Sequence, residues 1–418
     1  MKAALIIAPF WRQSGHVGNL RVDRFVRWLA EDGHRVVLVR GGSADGEQEE
    51  AWGLELTVRD PLGIYRDPGN GGVPPPPRRP SRLRRSLAYK MFNPDPGLVW
   101  ARRASRHPAV LRHAAEAEII LSSSPPESAH VAAGELSRQL CIPHVVDLRD
   151  GWLDEPLKPI LRNSRVRRWL EGRLEKALLG SAASIFVTSD VWRELLCARM
   201  PLLAPKVTVL TNGYPRELER AAERPARPVN VGKGLELVHA GQFSGSRSSQ
   251  HPNLLLQPLL DGIRQSMTRG VVRLIGSLTQ TDRDCVKRFE GPFEDIGWTI
   301  ECRQPIPRRE LLDTLVAADG LLLLSASKAA IPSKLFEYIA ACRPILAITV
   351  RDGATWRLCE RLPSAFQVGL DGGGRTDTVA EFLSASATGE VDYAHPEEHS
   401  ESYLCEIART AFRRITIS

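Results

Sequence analysis

Several chemistries are excluded by what the 418-residue sequence lacks. No stretch approaches the ~18 uninterrupted apolar residues that a membrane-spanning helix needs. The longest early run, Ala3 to Trp11, contains Pro9 and stops at Arg12. That run follows a single Lys and precedes no small-residue cleavage site, so it reads as a first strand rather than a signal peptide. The seven Cys, at positions 141, 197, 285, 302, 342, 359 and 405, form no C-x-x-C and no cluster with His. Neither a disulfide framework nor a zinc site is therefore expected, and the thiols read as reduced core filler of a cytoplasmic protein. No H-E-x-x-H pair occurs, so metal hydrolysis has no support and no bound metal is expected. No strand is followed by G-x-G-x-x-G, which disfavours a nicotinamide dehydrogenase.

What is present suits a soluble globular chain of two domains. Apolar residues make up 43% and charged residues 25%, close to the globular average. The length exceeds one ordinary core and suggests two domains of about 200 residues each. The formal charge of +7 is local in origin. Between Arg78 and Arg112 stand ten basic residues against one acid, Asp95, so the remainder of the chain is slightly acidic. Beside Leu83, Leu87, Tyr89, Met91 and Phe92, this segment fits an anionic membrane surface or a polyphosphate, with Arg82, Arg84 and Arg85 as the membrane-facing candidates. A solvated helix face explains the same charges. No groove-reading motif or aromatic stacking pattern accompanies them, so nucleic acid is not an expected partner.

The order of elements predicts an α/β protein of two Rossmann-like, doubly wound parallel-sheet domains. Lys2–Ala8 is a short unbroken apolar run, as a strand covered on both faces requires. A loop with Gly15 and Gly18 follows, then a helix from about Asn19 with Leu20, Val22, Phe25, Val26 and Leu29 on one stripe, and a second strand, Arg35–Val39. The pattern returns at Glu118–Leu121, a helix from about Pro126 to Leu140, and strands His144–Leu148, Ser184–Thr188 and Val207–Leu210. Pro74–Pro77 reads as a stiff, exposed polyproline insertion. A second series starts at Leu235, with strands at 235–240, 271–275, 296–300, 320–324 and 344–350. The expected organisation is a first domain at 1–215, a linker at 216–234, a second domain at 235–395, and a helix within 396–418 that crosses back to the first domain.

Loops after parallel strands hold ligands, and the most informative one lies between Gly320 and Pro344. A helix opens at Pro332-Ser333, where Pro suits a first turn because its N–H would be unpaired anyway. The N–H groups of Ser333, Lys334 and Leu335, with the positive helix end, are expected to form an anion site suited to a diphosphate. Lys334 and Glu337 are three positions apart and share a face. Glu337 can accept from a ribose diol and Lys334 can offset phosphate charge. An exposed intrahelical ion pair worth a few tenths of a kcal/mol explains the same spacing.

The stretch Ile331-Pro-Ser-Lys-Leu-Phe-Glu-Tyr-Ile-Ala-Ala-Cys-Arg-Pro-Ile-Leu346 resembles the donor-binding helix of family 4 glycosyltransferases of GT-B fold, especially those of bacterial surface-polysaccharide pathways. Four more segments match in the family's order: Asp147-Leu-Arg-Asp-Gly-Trp152, Val207-Thr-Val-Leu-Thr-Asn-Gly213, His239-Ala-Gly-Gln-Phe-Ser-Gly-Ser-Arg247 and Ala317-Ala-Asp-Gly-Leu-Leu-Leu323. The resemblance implies two Rossmann-like domains facing a cleft. It also implies transfer of a sugar with retention of configuration and without metal or cofactor, from a nucleotide sugar, UDP-linked for preference, to a glycan or lipid-linked acceptor. Carried over by position, Glu337 binds the ribose hydroxyls and Arg247 the diphosphate, with Lys334 or Lys328 as a second cation. Asp150, Arg247 and Lys334 become the catalytic candidates. Asp147, Arg149 and Trp152 shape the acceptor-side wall, and Gly15 and Gly18 let the first-domain loop approach sugar and phosphates. Asp150 also reads as a helix cap or as a partner of Arg149. His16, His144 and His239 read as structural or neutral groups.

Two departures from the family pattern stand out. Many relatives carry an acid eight positions before the ribose-binding Glu, where this chain has Ala329, and Arg247 is followed by Ser248 and Ser249 rather than completing an Arg/Lys pair. A sugar-nucleotide epimerase of the same fold and a scaffold that has lost catalysis are the alternative functions. The expected location is cytoplasmic, peripheral on the inner face of the plasma membrane.

Overall fold

The structure is a computed structural model that describes residues 2–13, 18–65, 91–154, 164–214, 216, 234–244, 250–266, 268–372, 375–393 and 397–416. The chain divides into two compact units, Met1–Leu210 with Cys405–Ser418, and Thr211–Leu404. The second unit is thus inserted into the first. The residues at 211–215 and 396–404, expected with the first domain, fall to the second unit because Tyr214 N–H donates to His399 O at 3.0 Å and Arg216 pairs with buried Glu401. Most of the expected 216–234 linker lies outside the described residues, as does the polyproline insertion.

The first unit runs β1 (Ala3–Ile7), α1 (Gly18–Glu31), β2 (Arg35–Gly42), β3 (Gly46–Glu50), β4 (Gly53–Arg59), α2 (Leu98–Ala104), α3 (Pro108–Ala114), β5 (Ala117–Ser124), α4 (Ser128–Leu140), β6 (His144–Leu148), α5 (Arg165–Ser181), β7 (Ser184–Val187), α6 (Asp190–Arg199) and β8 (Val207–Val209). Among the described residues these strands form one sheet in the order β3-β4-β2-β1-β5-β6-β7-β8, parallel except for the β3–β4 hairpin. The apolar runs of β1, β5 and β6 are buried throughout, the expected fate of a parallel strand covered on both faces. β3 reads Gly-Glu-Gln-Glu-Glu and is mostly exposed, a charged strand that closes the sheet edge. Ser164 and Ser189 cap α5 and α6 by accepting from the backbone N–H three residues on, which fixes where both helices start.

The second unit runs β9 (Leu235–Ala240), α7 (Asn253–Ile263), β10 (Gly270–Ile275), α8 (Gln280–Glu294), β11 (Trp298–Arg303), α9 (Arg308–Ala317), β12 (Gly320–Ser325), α10 (Ser333–Ala340), β13 (Ile345–Thr349), α11 (Ala354–Cys359), β14 (Ala365–Gly369) and α12 (Arg375–Thr388). Its described strands form a fully parallel sheet in the order β11-β10-β9-β12-β13-β14. That is the doubly wound order, with the reversal between β9 and β12. The core beneath it gathers Leu237, Leu255, Leu259, Phe293, Trp298, Leu322, Leu346 and Phe382, all fully buried. The last helix, α13 (Glu401–Thr416), carries Ala408 and Phe412 into the first unit, where the Phe412 ring meets Phe186 edge-on at 6.0 Å.

Candidate functional site

In a doubly wound sheet, ligands gather beyond the carboxyl ends of the strands where their order reverses. In the second unit this point follows β9 and β12. β9 ends in His239 and Ala240, and Gly241 then takes φ +114°, a backbone conformation that favours glycine. From α10, Lys334 reaches this strand end and donates from Nζ to Ala240 O at 3.0 Å, with His239 Nε2 3.4 Å away. His239 Nδ1 lies 2.9 Å from Leu322 O; a carbonyl only accepts, so Nδ1 carries the proton and Nε2 faces Lys334 as an acceptor. Burial, reinforced by Lys334, holds the imidazole well below its ordinary pKa, and the ring is neutral. Phe243 stacks on it at 4.3 Å. Burial also lowers the Lys334 ammonium to about 7, with Glu337 acting in the opposite sense.

The helix end itself is narrower than expected. Leu335 N–H donates to Pro332 O at 3.0 Å, a first-turn bond that takes it out of any anion site. The N–H groups of Ser333 and Lys334 have no acceptor among the described residues. Lys334 and Glu337 do not form an ion pair. Lys334 turns to β9, whereas Glu337 Oε1 accepts from Arg308 Nη1 at 2.6 Å, leaving Oε2 without a partner among the described residues. Lys328 is exposed on the loop after β12, and Ala329 is buried beside it. Arg247 lies outside the described residues.

The first unit has its own reversal point, between β1 and β5, and a hollow opens there. Phe10, Trp11, Gly18, Ser123, Pro125 and Arg149 are among its lining residues. Arg149 is clamped by two carbonyls, donating from Nε to Ser124 O at 2.7 Å and from Nη2 to Pro125 O at 2.8 Å. The remaining Nη1 lies over Gly18, where an added Cβ would stand 1.5 Å from it. Burial pushes the Arg149 pKa down, while Asp147 and Asp150 favour its charged form. Trp11 is held in turn by Nε1 donating to Asp23 Oδ1 at 2.7 Å. Gly15 lies outside the described residues, as do Arg82, Arg84 and Arg85.

Two residues expected on the acceptor-side wall face inward instead. Asp147 is fully buried, accepting from Arg21 Nη2 at 2.7 Å and from Ser123 Oγ at 2.7 Å. Trp152 is also buried, with Nε1 donating to Glu171 Oε2 at 3.0 Å. A carboxylate so paired and an indole so enclosed hold the strand end together rather than meeting a ligand. Asp150 lines a second, separate hollow with Trp192, Glu175 and Arg199. His144 is buried with Nε2 2.7 Å from Ser122 Oγ, and burial depresses it to about 3, so it too is a neutral structural group.

Arg308 and Trp11 were not singled out from the sequence. Arg308 follows Pro307 at the opening of α9, a helix-start signal that marks its place but not its partner 29 positions away. Trp11 sits in the loop directly after β1, where position alone was the available signal.

The chain is similar to known proteins in sequence over its first unit and in structure throughout. Residues 18–213 match the family model of a glycosyl transferase 4-like domain. No match is found among curated protein sequences. In structure the chain is similar to α,α-trehalose 6-phosphate synthase from Burkholderia multivorans, with a TM-score of 0.62, 12% identity and coverage of 100% of this chain and 99% of that one. It is similar to the lipopolysaccharide outer core galactosyltransferase WaaB, with a TM-score of 0.59, 14% identity and coverage of 99% of each chain. It is also similar to Alr3699/HepE of Anabaena in complex with UDP, with a TM-score of 0.55, 14% identity and coverage of 100% of this chain and 98% of that one. The chain therefore has the fold of GT-B glycosyltransferases, and its residues 18–213 are similar to the glycosyl transferase 4-like domain.

Proposed function

We propose that the chain is a glycosyltransferase that moves a sugar from a nucleotide diphosphate donor, a UDP-sugar for preference, to a glycan or lipid-linked acceptor. Transfer proceeds with retention of configuration and without metal or cofactor. The observation that carries this reading is the helix that opens at Ser333, which sends the Lys334 ammonium to the end of β9 and leaves the N–H groups of Ser333 and Lys334 without an acceptor among the described residues. A departing diphosphate is stabilised by such fixed donors more than by any other single factor. An approaching phosphate favours the charged form of a lysine whose pKa is about 7, so the cation appears when the ligand does.

The other roles follow from placement, except that of Arg247, which rests on the resemblance alone. Glu337 Oε2 accepts from the ribose while Arg308 holds Oε1. Arg247 and Lys328 supply further positive charge to the diphosphate. Gly18 and Arg149 serve the acceptor side, where the clamped guanidinium offers Nη1 to an oxygen of the acceptor or of the transferred sugar. Asp150 contributes through its charge on Arg149. The choice of UDP is supported by similar structures solved with it, Anabaena HepE with UDP-glucose and an E. coli structure bound with UDP-2-fluoro glucose. No described helix is long and apolar enough to cross a membrane, and work at the inner face of the plasma membrane calls only for peripheral contact.

A thermal-shift panel of UDP, GDP, ADP and TDP with their sugars tests the donor, because a ligand bound only by the native state raises its stability. UDP or a UDP-sugar is expected to raise the midpoint, and Lys334→Ala to abolish the rise. Release of UDP only when a glycan acceptor is added, undiminished by a chelator, is expected of the metal-free transferase. A panel without any shift would remove the reading.

A further inference from the structure

The first half of helix α5 is built in reverse of an ordinary amphipathic helix, whereas its second half packs Leu174, Leu178 and Leu179 inward. The buried face starts out charged: Arg167, Glu171 and Glu175 are 6%, 2% and 1% exposed. Arg167 Nε donates to Glu171 Oε1 at 2.6 Å, and Glu175 Oε2 accepts from Arg199 Nη1 at 2.8 Å. Its outer face is apolar and cationic. Val166, Trp169 and Leu170 are 68%, 58% and 40% exposed, at the i, i+3, i+4 spacing that places them on one side. Arg165, Arg168, Arg173 and Lys176 are exposed around them, and the Arg173 guanidinium lies 5.1 Å from the Trp169 ring centre. Arg168 also ties the helix to the chain by donating to Leu153 O.

Both acids of this helix are internally neutralised, so every charge it presents outward is positive. An exposed Trp among exposed aliphatics buries little apolar surface in the folded chain, and such patches mark surfaces that meet something else. From the sign of the surrounding charge, we infer that the Val166–Trp169–Leu170 face of α5 docks on an anionic lipid bilayer, with the three side chains entering the headgroup layer and Arg165, Arg173 and Lys176 meeting lipid phosphates. Trp is the side chain suited to that layer, with an apolar body and one N–H for the wet side. This surface is separate from the Arg78–Arg112 segment and does not depend on the transferase reading.

Flotation of the full chain with vesicles, in buffer without nucleotide, tests the docking. The protein is expected to float with phosphatidylcholine vesicles containing phosphatidylglycerol, not with pure phosphatidylcholine, and to come off as salt rises. The double variant Val166→Ser/Trp169→Ser should weaken binding at least about tenfold, since two apolar side chains lose their burial. Arg165→Gln and Arg173→Gln should each weaken it about fivefold. All four substitutions are at exposed positions, so melting temperatures should match the wild type. Trp169→Phe should still float while losing most of the blue shift in emission that vesicles give the wild type; an unchanged blue shift would place the contact elsewhere. Wild-type protein that fails to float, or a double variant that floats equally well, overturns the inference. So does a wild-type dimer that the double variant dissociates with flotation unchanged, which would make the face a protein interface.

Discussion

Arg308, the first residue of α9, donates from Nη1 to Oε1 of Glu337 on α10 at 2.6 Å and thereby orients the carboxylate proposed to hold a ribose. Only one carboxylate oxygen is spent on this pair. Glu337→Ala should therefore weaken UDP binding by at least ~1 kcal/mol, the scale of a lost hydrogen bond to a charged group. Arg308→Ala leaves the carboxylate in place and should cost less. Calorimetry decides the matter, and an affinity unchanged in Glu337→Ala would remove the ribose role.

Lys334 predicts a pH dependence of binding. Its pKa in the free protein is about 7, and an anion raises it, so binding takes up a proton above that value. UDP affinity should be greatest below pH 7 and fall by up to about tenfold per unit as the pH rises beyond it. Lys334→Ala should flatten the profile; a wild-type affinity independent of pH between 6 and 9 would contradict the assignment.

The same lysine predicts the opposite trend for stability. Its native pKa lies below its ordinary 10.5, so between about 7 and 10.5 the unfolded chain binds the extra proton. The cost of burying the ammonium is complete below pH 7 and is relieved as pH rises. Lys334→Met should raise the thermal midpoint at neutral pH while weakening UDP binding. A midpoint lowered by the substitution would show that the ammonium contributes more through Ala240 than it costs.

Gly18→Ala should act on Arg149. The added methyl meets the guanidinium rather than backbone, so Arg149 must leave the carbonyls of Ser124 and Pro125 while the fold persists. Turnover with acceptor should drop while the melting temperature falls by no more than the loss of two hydrogen bonds, about 1 kcal/mol each, allows. Equal turnover would separate the first-unit hollow from the reaction.

Asp147→Asn should act on the fold alone. It leaves the buried Arg21 guanidinium short of its counter-charge, a change that costs roughly 3 kcal/mol. Denaturant unfolding should show the loss, and the folded fraction should bind UDP as the wild type does.

The buried parallel strands were legible because strands covered on both faces must be unbroken apolar runs, and His144–Leu148 and Leu235–Ala240 were located to the residue. The hairpin of β3 and β4 was not, since the Gly46–Glu50 strand is exposed and has no apolar alternation to betray it. Helix α5 was hidden for a different reason: its inward stripe starts with Arg167, Glu171 and Glu175 and turns apolar only toward Leu178 and Leu179, while Val166, Trp169 and Leu170 face out, so no single apolar stripe runs along it. At the site, spacing correctly put Lys334 and Glu337 on one short helix but did not show that they part company there. Their partners, Ala240 and Arg308, are 94 and 29 positions away, and pairings at that distance leave no mark in a local pattern.

The insertion of the second unit within the first has a bearing on biosynthesis. Strand β7 leaves the ribosome early, yet the aromatic partner of its Phe186 is Phe412, which is made only after the whole of Thr211–Leu404. The inserted unit holds every residue of its own core and can settle first, while the earlier-made half exposes the patch under Phe412 until translation has passed it. A released chain truncated after Leu404 should therefore protect the later-made half from protease better than the earlier one.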